Sequence, residues 1–210
     1  MVVGGVDIHP SLYLQSVLVD CNLSKFDFQR DQKELDIIDF ALQHNLPTLG
    51  ICRGHQLLGI YHGLAEEFEM DLTRCTVVHQ PVRYNIQYSK YDTMHYVDLL
   101  DERAFSVPNP EERKTVRKVL SYDNSKVAWV NSFHHQGIRY ENCRNYEQNK
   151  IKVLATAPIF WDQQNKRKSI IELMSGENWL SVQWHPEFDH DVNSTSKTVL
   201  DKFEKILEGK

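Results

Sequence analysis

The stretch NLPTLGICRGHQLLGIYHG, residues 45–63, joins an apolar run to a helical pattern through a cysteine with a glycine two residues away on either side. LPTLGI, 46–51, reads as a short buried strand, and RGHQLLGIYHG, 53–63, as a helix stopped by Gly63. Between them Gly50 and Gly54 let the chain turn sharply around Cys52. The N-terminus of the following helix offers unpaired N–H groups and a dipole that favour thiolate over thiol. Strand, tight turn and helix is the arrangement that exposes a nucleophile. It also suits a buried structural cysteine, a common fate of free thiols.

Upstream, ELDIIDFALQHN places Leu35, Ile38 and Leu42 at helical spacing. Downstream, TVVHQPVRYNIQYS, HYVDLLDE, KVAWVNSFHHQ, IKVLATAP, KSIIELM and WLSVQWHPEF are β-rich runs parted by polar turns. The tail STSKTVLDKFEKILEGK reads as a helix with Val199, Phe203, Ile206 and Leu207 on one face and Ser194 or Ser196 as cap. Helices interleaved with strands predict an α/β three-layer sandwich around a central, mostly parallel sheet, with Cys52 at the strand C-terminal ends.

The chain has 210 residues, 41% of them hydrophobic, and no long Pro/Gly/Ser-rich linker, so one domain over 1–210 with a sufficient core is expected. With 24 Lys+Arg against 29 Asp+Glu, the net charge of −5 disfavours nucleic acid as a partner. The basic run NKRKS from Asn165 reads as a solvated hairpin tip. Cys21, Cys52, Cys75 and Cys143 are scattered without C-x-x-C pairing, which indicates neither a zinc site nor a disulfide framework. No stretch approaches the ~18 apolar residues of a membrane span and MVVGGVDIHPSLY lacks the regions of a signal peptide, so a cytoplasmic location and no membrane partner are expected.

VQWHPEF, 182–188, offers a base. If the strand continues through it, His185 and Glu187 face the same way, and the carboxylate can orient the imidazole. A surface H-P-E turn without a role is the other reading.

Taken in order, MVVGGVDIHPSLY, FQRDQKELDIIDFALQHNLPTLGICRGHQ, WVNSFHHQGIRY and LSVQWHPEF resemble the class I glutamine amidotransferase superfamily, most closely its gamma-glutamyl-gamma-aminobutyrate hydrolase branch. The shared patterns are G-G-x-D-I-x-P-x-L-Y, R-D-x-x-E, G-I-C-R-G-x-Q, V-N-S-x-H-H-Q and Q-W-H-P-E. The resemblance implies Cys52 as nucleophile, His185 as general base and acid, and Glu187 as third triad member. It implies an oxyanion hole from the backbone N–H groups of Gly5 and Arg53, and glutamyl binding by Gln56 and by the segment Ser132, Phe133 and His134.

The implied reaction is hydrolysis of a small-molecule gamma-glutamyl amide through a glutamyl thioester. A glutaminase feeding ammonia to a separate synthase shares the machinery, and a non-catalytic binding relative is a further alternative. A homo-oligomer or a synthase partner is left open. No cofactor or metal is implied, and His134 and His135 are expected to be structural, since a metal needs convergent donors. Arg30 and Glu34 read as a helix-surface ion pair beside Asp31, and FDHDV around Asp189 as a solvated turn. Family members carry a strand, a helix and a second strand ahead of the G-G loop, whereas this sequence starts almost at the loop; the N-terminal strands at that sheet edge are expected to be missing or replaced.

Overall fold

The computed structural model describes residues 1–2, 4–13, 26–64, 94–100, 127–134, 136–140, 150–161 and 167–209. Asp27 starts the first helix, α1 (Phe28–Gln43), by accepting a hydrogen bond from the Arg30 N–H. The chain then runs through β1 (Thr48–Ile51), α2 (Arg53–Tyr61), β2 (Met94–Leu99), β3 (Val127–Asn131), β4 (Ile138–Arg139), β5 (Lys152–Trp161), β6 (Arg167–Ser175), β7 (Trp179–Val182) and α3 (Ser194–Leu207). Gly63, at φ 73°, follows α2 and takes the left-handed conformation that ends it.

Among the described residues seven strands form one sheet in the order β1-β7-β6-β5-β2-β3, with β4 paired to β6. The architecture is α/β as expected, but the sheet is mixed rather than mostly parallel. β1 and β7 run parallel, while β2–β3, β2–β5, β4–β6, β5–β6 and β6–β7 are antiparallel. Short links between β5, β6 and β7 permit only hairpins; a parallel pair needs a long crossover, which α2 and later segments supply between β1 and β7. On the outer side of β1, Val2 forms a parallel bridge with Gly50, donating to the Leu49 carbonyl at 2.9 Å and accepting from the Ile51 N–H at 2.9 Å.

The two faces of the sheet bury separate clusters. Leu49, Ile51, Leu180 and Val182 pack with Val199, Phe203 and Ile206 of α3. Ile38 of α1 and Leu57 and Leu58 of α2 pack on the opposite side with Val2, Met174 and Trp179. Three layers result. Leu207 is exposed instead of joining the buried face of α3, and the cap is neither Ser194 nor Ser196 but Asn193, whose side chain accepts from Thr195 N–H and Ser196 N–H. Asp189 is buried and bonded to Asn193 Nδ2 at 3.1 Å, so the turn around it is not simply solvated.

Ala155 pairs with Leu173 and Thr156 with Ile171, leaving Glu172 as the extra residue of a bulge in β6. No helix among the described residues is long and apolar enough to cross a membrane. The expected strand in TVVHQPVRYNIQYS, the NKRKS tip up to Lys166, His135, and Cys21, Cys75 and Cys143 lie outside the described residues.

Candidate active site

Cys52 follows β1 and caps α2 at φ 54° and ψ −107°, a conformation that costs a non-glycine residue roughly 1–3 kcal/mol and persists only where the surroundings dictate it. Here they do. Its N–H donates to the Val182 carbonyl at 2.8 Å, and its carbonyl accepts from His55 at 3.0 Å and Gln56 at 3.2 Å. A Cβ on Gly54 would stand 2.2 Å from the Val2 carbonyl oxygen, and one on Gly50 2.8 Å from that of Gly54, so close backbone approach demands both glycines.

His185 reaches the thiol by a different route from the one the alternation of a strand suggests. β7 ends at Val182, and Pro186–Phe188 form a 3-10 turn with Pro186 at its first position, where a missing N–H costs nothing. The turn brings His185 Nδ1 to 2.8 Å from Glu187 Oε1. Asn131 fixes the backbone: its Nδ2 donates to the His185 carbonyl at 2.7 Å, and its Oδ1 accepts from the His185 N–H at 2.9 Å. Burial works against the charged imidazole, but hydrogen bonds and Coulomb attraction from Cys52 and Glu187 outweigh it and hold the pKa of His185 up to about 9. For Glu187, too, burial opposes ionisation, and the bond to His185 prevails and lowers its pKa.

Gly4 lies beside both the Cys52 and His185 side chains; a Cβ there would be 3.1 Å from His185 Cε1 and 3.7 Å from Cys52 Cβ. The next residue, Gly5, packs so tightly on Arg30 that a Cβ would meet Nη1 at 2.4 Å. Arg30 Nη2 donates to the Gly4 carbonyl at 3.2 Å while its Nε donates to Glu34 at 2.7 Å. Arg53, buried at the start of α2, donates from Nη1 to Glu34 and from Nη2 to Asp31, whose other oxygen accepts from the His9 N–H at 2.9 Å. The R-D-x-x-E run is therefore no surface pair. It ties the G-G loop and the start of α2, the two places that supply Gly5 and Arg53, to one helix.

Gly5, Val6, Asp7, Cys52, Arg53, Gln56, Phe133, His134 and Gln136 line one pocket. Of the residues implied for glutamyl binding, Gln56, Phe133 and His134 meet there, whereas Ser132 is buried and not among the lining residues. Gln56 Nε2 donates to the Gln136 carbonyl at 3.1 Å and to Gln183 Oε1 at 3.2 Å; Gln183 Nε2 in turn approaches Cys52 Sγ at 3.8 Å. Asn131, Gln136 and Gln183 are contributions that the sequence reading passed over, although they sit inside V-N-S-x-H-H-Q and Q-W-H-P-E. Phe188 stacks on the His185 ring at 4.8 Å between centroids.

A second histidine–carboxylate group shares His134 with the pocket lining. His95, His134 and Glu172 converge, all buried, with His95 Nε2 3.1 Å and His134 Nε2 3.6 Å from Glu172 Oε1. Burial pushes the pKa of His95 down to about 3.

The three layers, the elbow at Cys52 and the facing His185–Glu187 pair define a class I glutamine amidotransferase-like fold. The glutaminase domain of Trypanosoma brucei CTPS shares this fold at a TM-score of 0.50 and 13% identity, the match covering 88% of this chain and 69% of that one. The peptidase C26 model matches residues 1–187, and the chain belongs to that family. It is 27% identical over 208 residues to Protein NtpR of Enterococcus hirae, covering 95% of this chain and 71% of that protein. It is also 27% identical over 183 residues to gamma-glutamyl-gamma-aminobutyrate hydrolase PuuD of Escherichia coli K12, covering 83% of this chain. The matched region spans 59% of PuuD.

Proposed function

We propose that this protein hydrolyses the side-chain amide of a small-molecule gamma-glutamyl compound, with Cys52 as nucleophile. The observation that carries the reading is the strained elbow of Cys52, set beside an imidazole that Glu187 and the thiol hold in its charged form. Cys52 Sγ attacks the amide carbonyl carbon, and the carbonyl oxygen takes the negative charge, stabilised by the N–H groups of Gly5 and Arg53. The C–N bond then breaks as His185 gives its proton to the departing nitrogen, leaving a glutamyl thioester and a free amine. Water attacks the thioester while His185 accepts its proton. Glutamate leaves, and the thiolate and imidazolium are restored.

Gln56, Phe133 and His134 border the pocket that would hold the glutamyl group, and the PuuD relative bears the name of a gamma-glutamyl hydrolase. The Arg30–Glu34–Arg53–Asp31 network favours a free-standing hydrolase over a glutaminase that awaits a synthase, because it holds the G-G loop without a second protein. Purified protein is expected to release amine from gamma-glutamyl amides with extended leaving groups, and faster than it releases ammonia from glutamine. Steady-state rates on both substrates test this. Turnover of glutamine alone, and only with an added partner, would turn the reading into the ammonia-supplying one; binding of gamma-glutamyl compounds without any turnover would leave only the non-catalytic relative.

A further inference from the structure

We propose that His95, His134 and Glu172 form a binding site for one divalent transition-metal ion of the zinc class, with Cys52 not among its donors. The inference starts from the ring of His134. Its Nδ1 lies 3.0 Å from the Gln136 carbonyl oxygen, which can only accept, so Nδ1 carries the hydrogen. In the neutral ring, Nε2 is then a lone pair, and it faces Glu172 Oε1 at 3.6 Å. That distance is too long for a hydrogen bond, and two acceptors turned toward each other repel. A positive charge between them removes the conflict.

The surroundings select a metal ion for that charge. His95 Nε2 approaches the same carboxylate oxygen at 3.1 Å, and one donor atom from each of the three residues lies within 4.8 Å of the others. Metal–ligand bonds of about 2.0–2.2 Å set neighbouring donors roughly 3–3.5 Å apart, close to both measured separations. All three residues are buried, Glu172 at 0% exposure. The β6 bulge places Glu172 out of the strand's alternation, and the N–H of Gln183, just past the end of β7, donates to its carbonyl at 2.8 Å. Nδ1–H given to a backbone carbonyl is the usual second contact of a ligating histidine, fixing the tautomer that aims Nε2 at the metal. The expectation that His134 has only a structural part rested on a lack of convergent donors, and His95 and Glu172, distant in sequence, supply them.

Two histidines and one carboxylate leave a fourth position for water. The ion would hold His134, and through its bond to Gln136 the wall of the pocket beside Gln56. This does not depend on the hydrolase reading, and metal binding is measured without turnover.

The test uses the untagged full chain, stripped with chelator, then equilibrated with Zn²⁺ or Co²⁺ and desalted before elemental analysis. About one ion per chain is expected in the wild type and in Cys52→Ser, and loss of the ion in Glu172→Gln and His95→Gln, with circular dichroism checking that both variants fold. Should those variants not fold, the wild-type Co²⁺ spectrum decides: d–d bands of a four-coordinate site without thiolate charge transfer support the proposal. A wild type that retains no ion, an ion lost on Cys52→Ser, or a thiolate band in the Co²⁺ spectrum would overturn it and leave a proton as the charge between His134 and Glu172.

Discussion

Among the described residues, two histidine–glutamate pairs stand at nearly equal distances, 2.8 Å for His185–Glu187 and 3.1 Å for His95–Glu172, beside the longer His134–Glu172 approach, and they have opposite consequences. The first is partly open, with side chains 12% and 39% exposed, and its imidazole is driven up to about 9. The second is sealed, at 2% and 0%, and its imidazole falls to about 3. A carboxylate neighbour therefore does not by itself make a charged histidine. At the open pair burial is the largest single influence, yet the hydrogen bonds and Coulomb attraction from Cys52 and Glu187 together outweigh it; at the sealed pair burial dominates. One arrangement holds a proton ready to move, and the other presents a neutral nitrogen.

Substitutions that separate activity from stability would sharpen that contrast. His185→Ala and Cys52→Ser are expected to lower kcat by about 10⁶-fold, and Glu187→Gln by about 10⁴-fold, since the amide still orients the ring; single-turnover kinetics on folded variants measures this. Equal loss in all three would mean that Glu187 does more than orient. Removing the carboxylate of the sealed pair, by Glu172→Ala, leaves the buried neutral His95 without its hydrogen-bond partner and should cost about 1–3 kcal/mol in urea unfolding, whereas Glu187→Ala, exposed and screened, should cost less than about 1. Similar costs at both would erase the distinction.

Acid–base behaviour gives a smaller, more specific effect. His185 has its folded-state pKa raised, so its proton is held well above the ordinary value of 6.5 and is lost as pH rises through about 9. The rate of thioester formation should fall over that range, and in Glu187→Gln the fall should move to lower pH because one raising influence is gone. The mildest change is at Arg30. Arg30→Met frees the Gly4 carbonyl without touching substrate, and should lower kcat about tenfold with little change in KM, less than the loss of an oxyanion donor itself.

The elbow was legible in the sequence because its causes are local: glycines at 50 and 54, an apolar run before and a helical period after. Pairing of His185 with Glu187 was legible in identity but not in geometry, since Pro186 could serve a strand edge as well as the 3-10 turn it starts. Sheet direction was misjudged because hairpin links and crossovers are set by tertiary pairing, which periodicity does not carry. Arg30, Asp31 and Glu34 read as a surface pair because the partner that buries them, Arg53, lies on another helix. His95 and Glu172 gave no signal, as 77 residues separate them and only the β6 bulge brings the carboxylate to the histidines.

The central claim is a covalent glutamyl intermediate on Cys52, and rapid-quench mass spectrometry of the full chain with a gamma-glutamyl amide tests it most directly. The account predicts a glutamyl adduct on the peptide that contains Cys52, absent in Cys52→Ser and accumulating before steady state if thioester hydrolysis is the slower step. Release of amine with no adduct at any quench time, together with full turnover by Cys52→Ser, would contradict it.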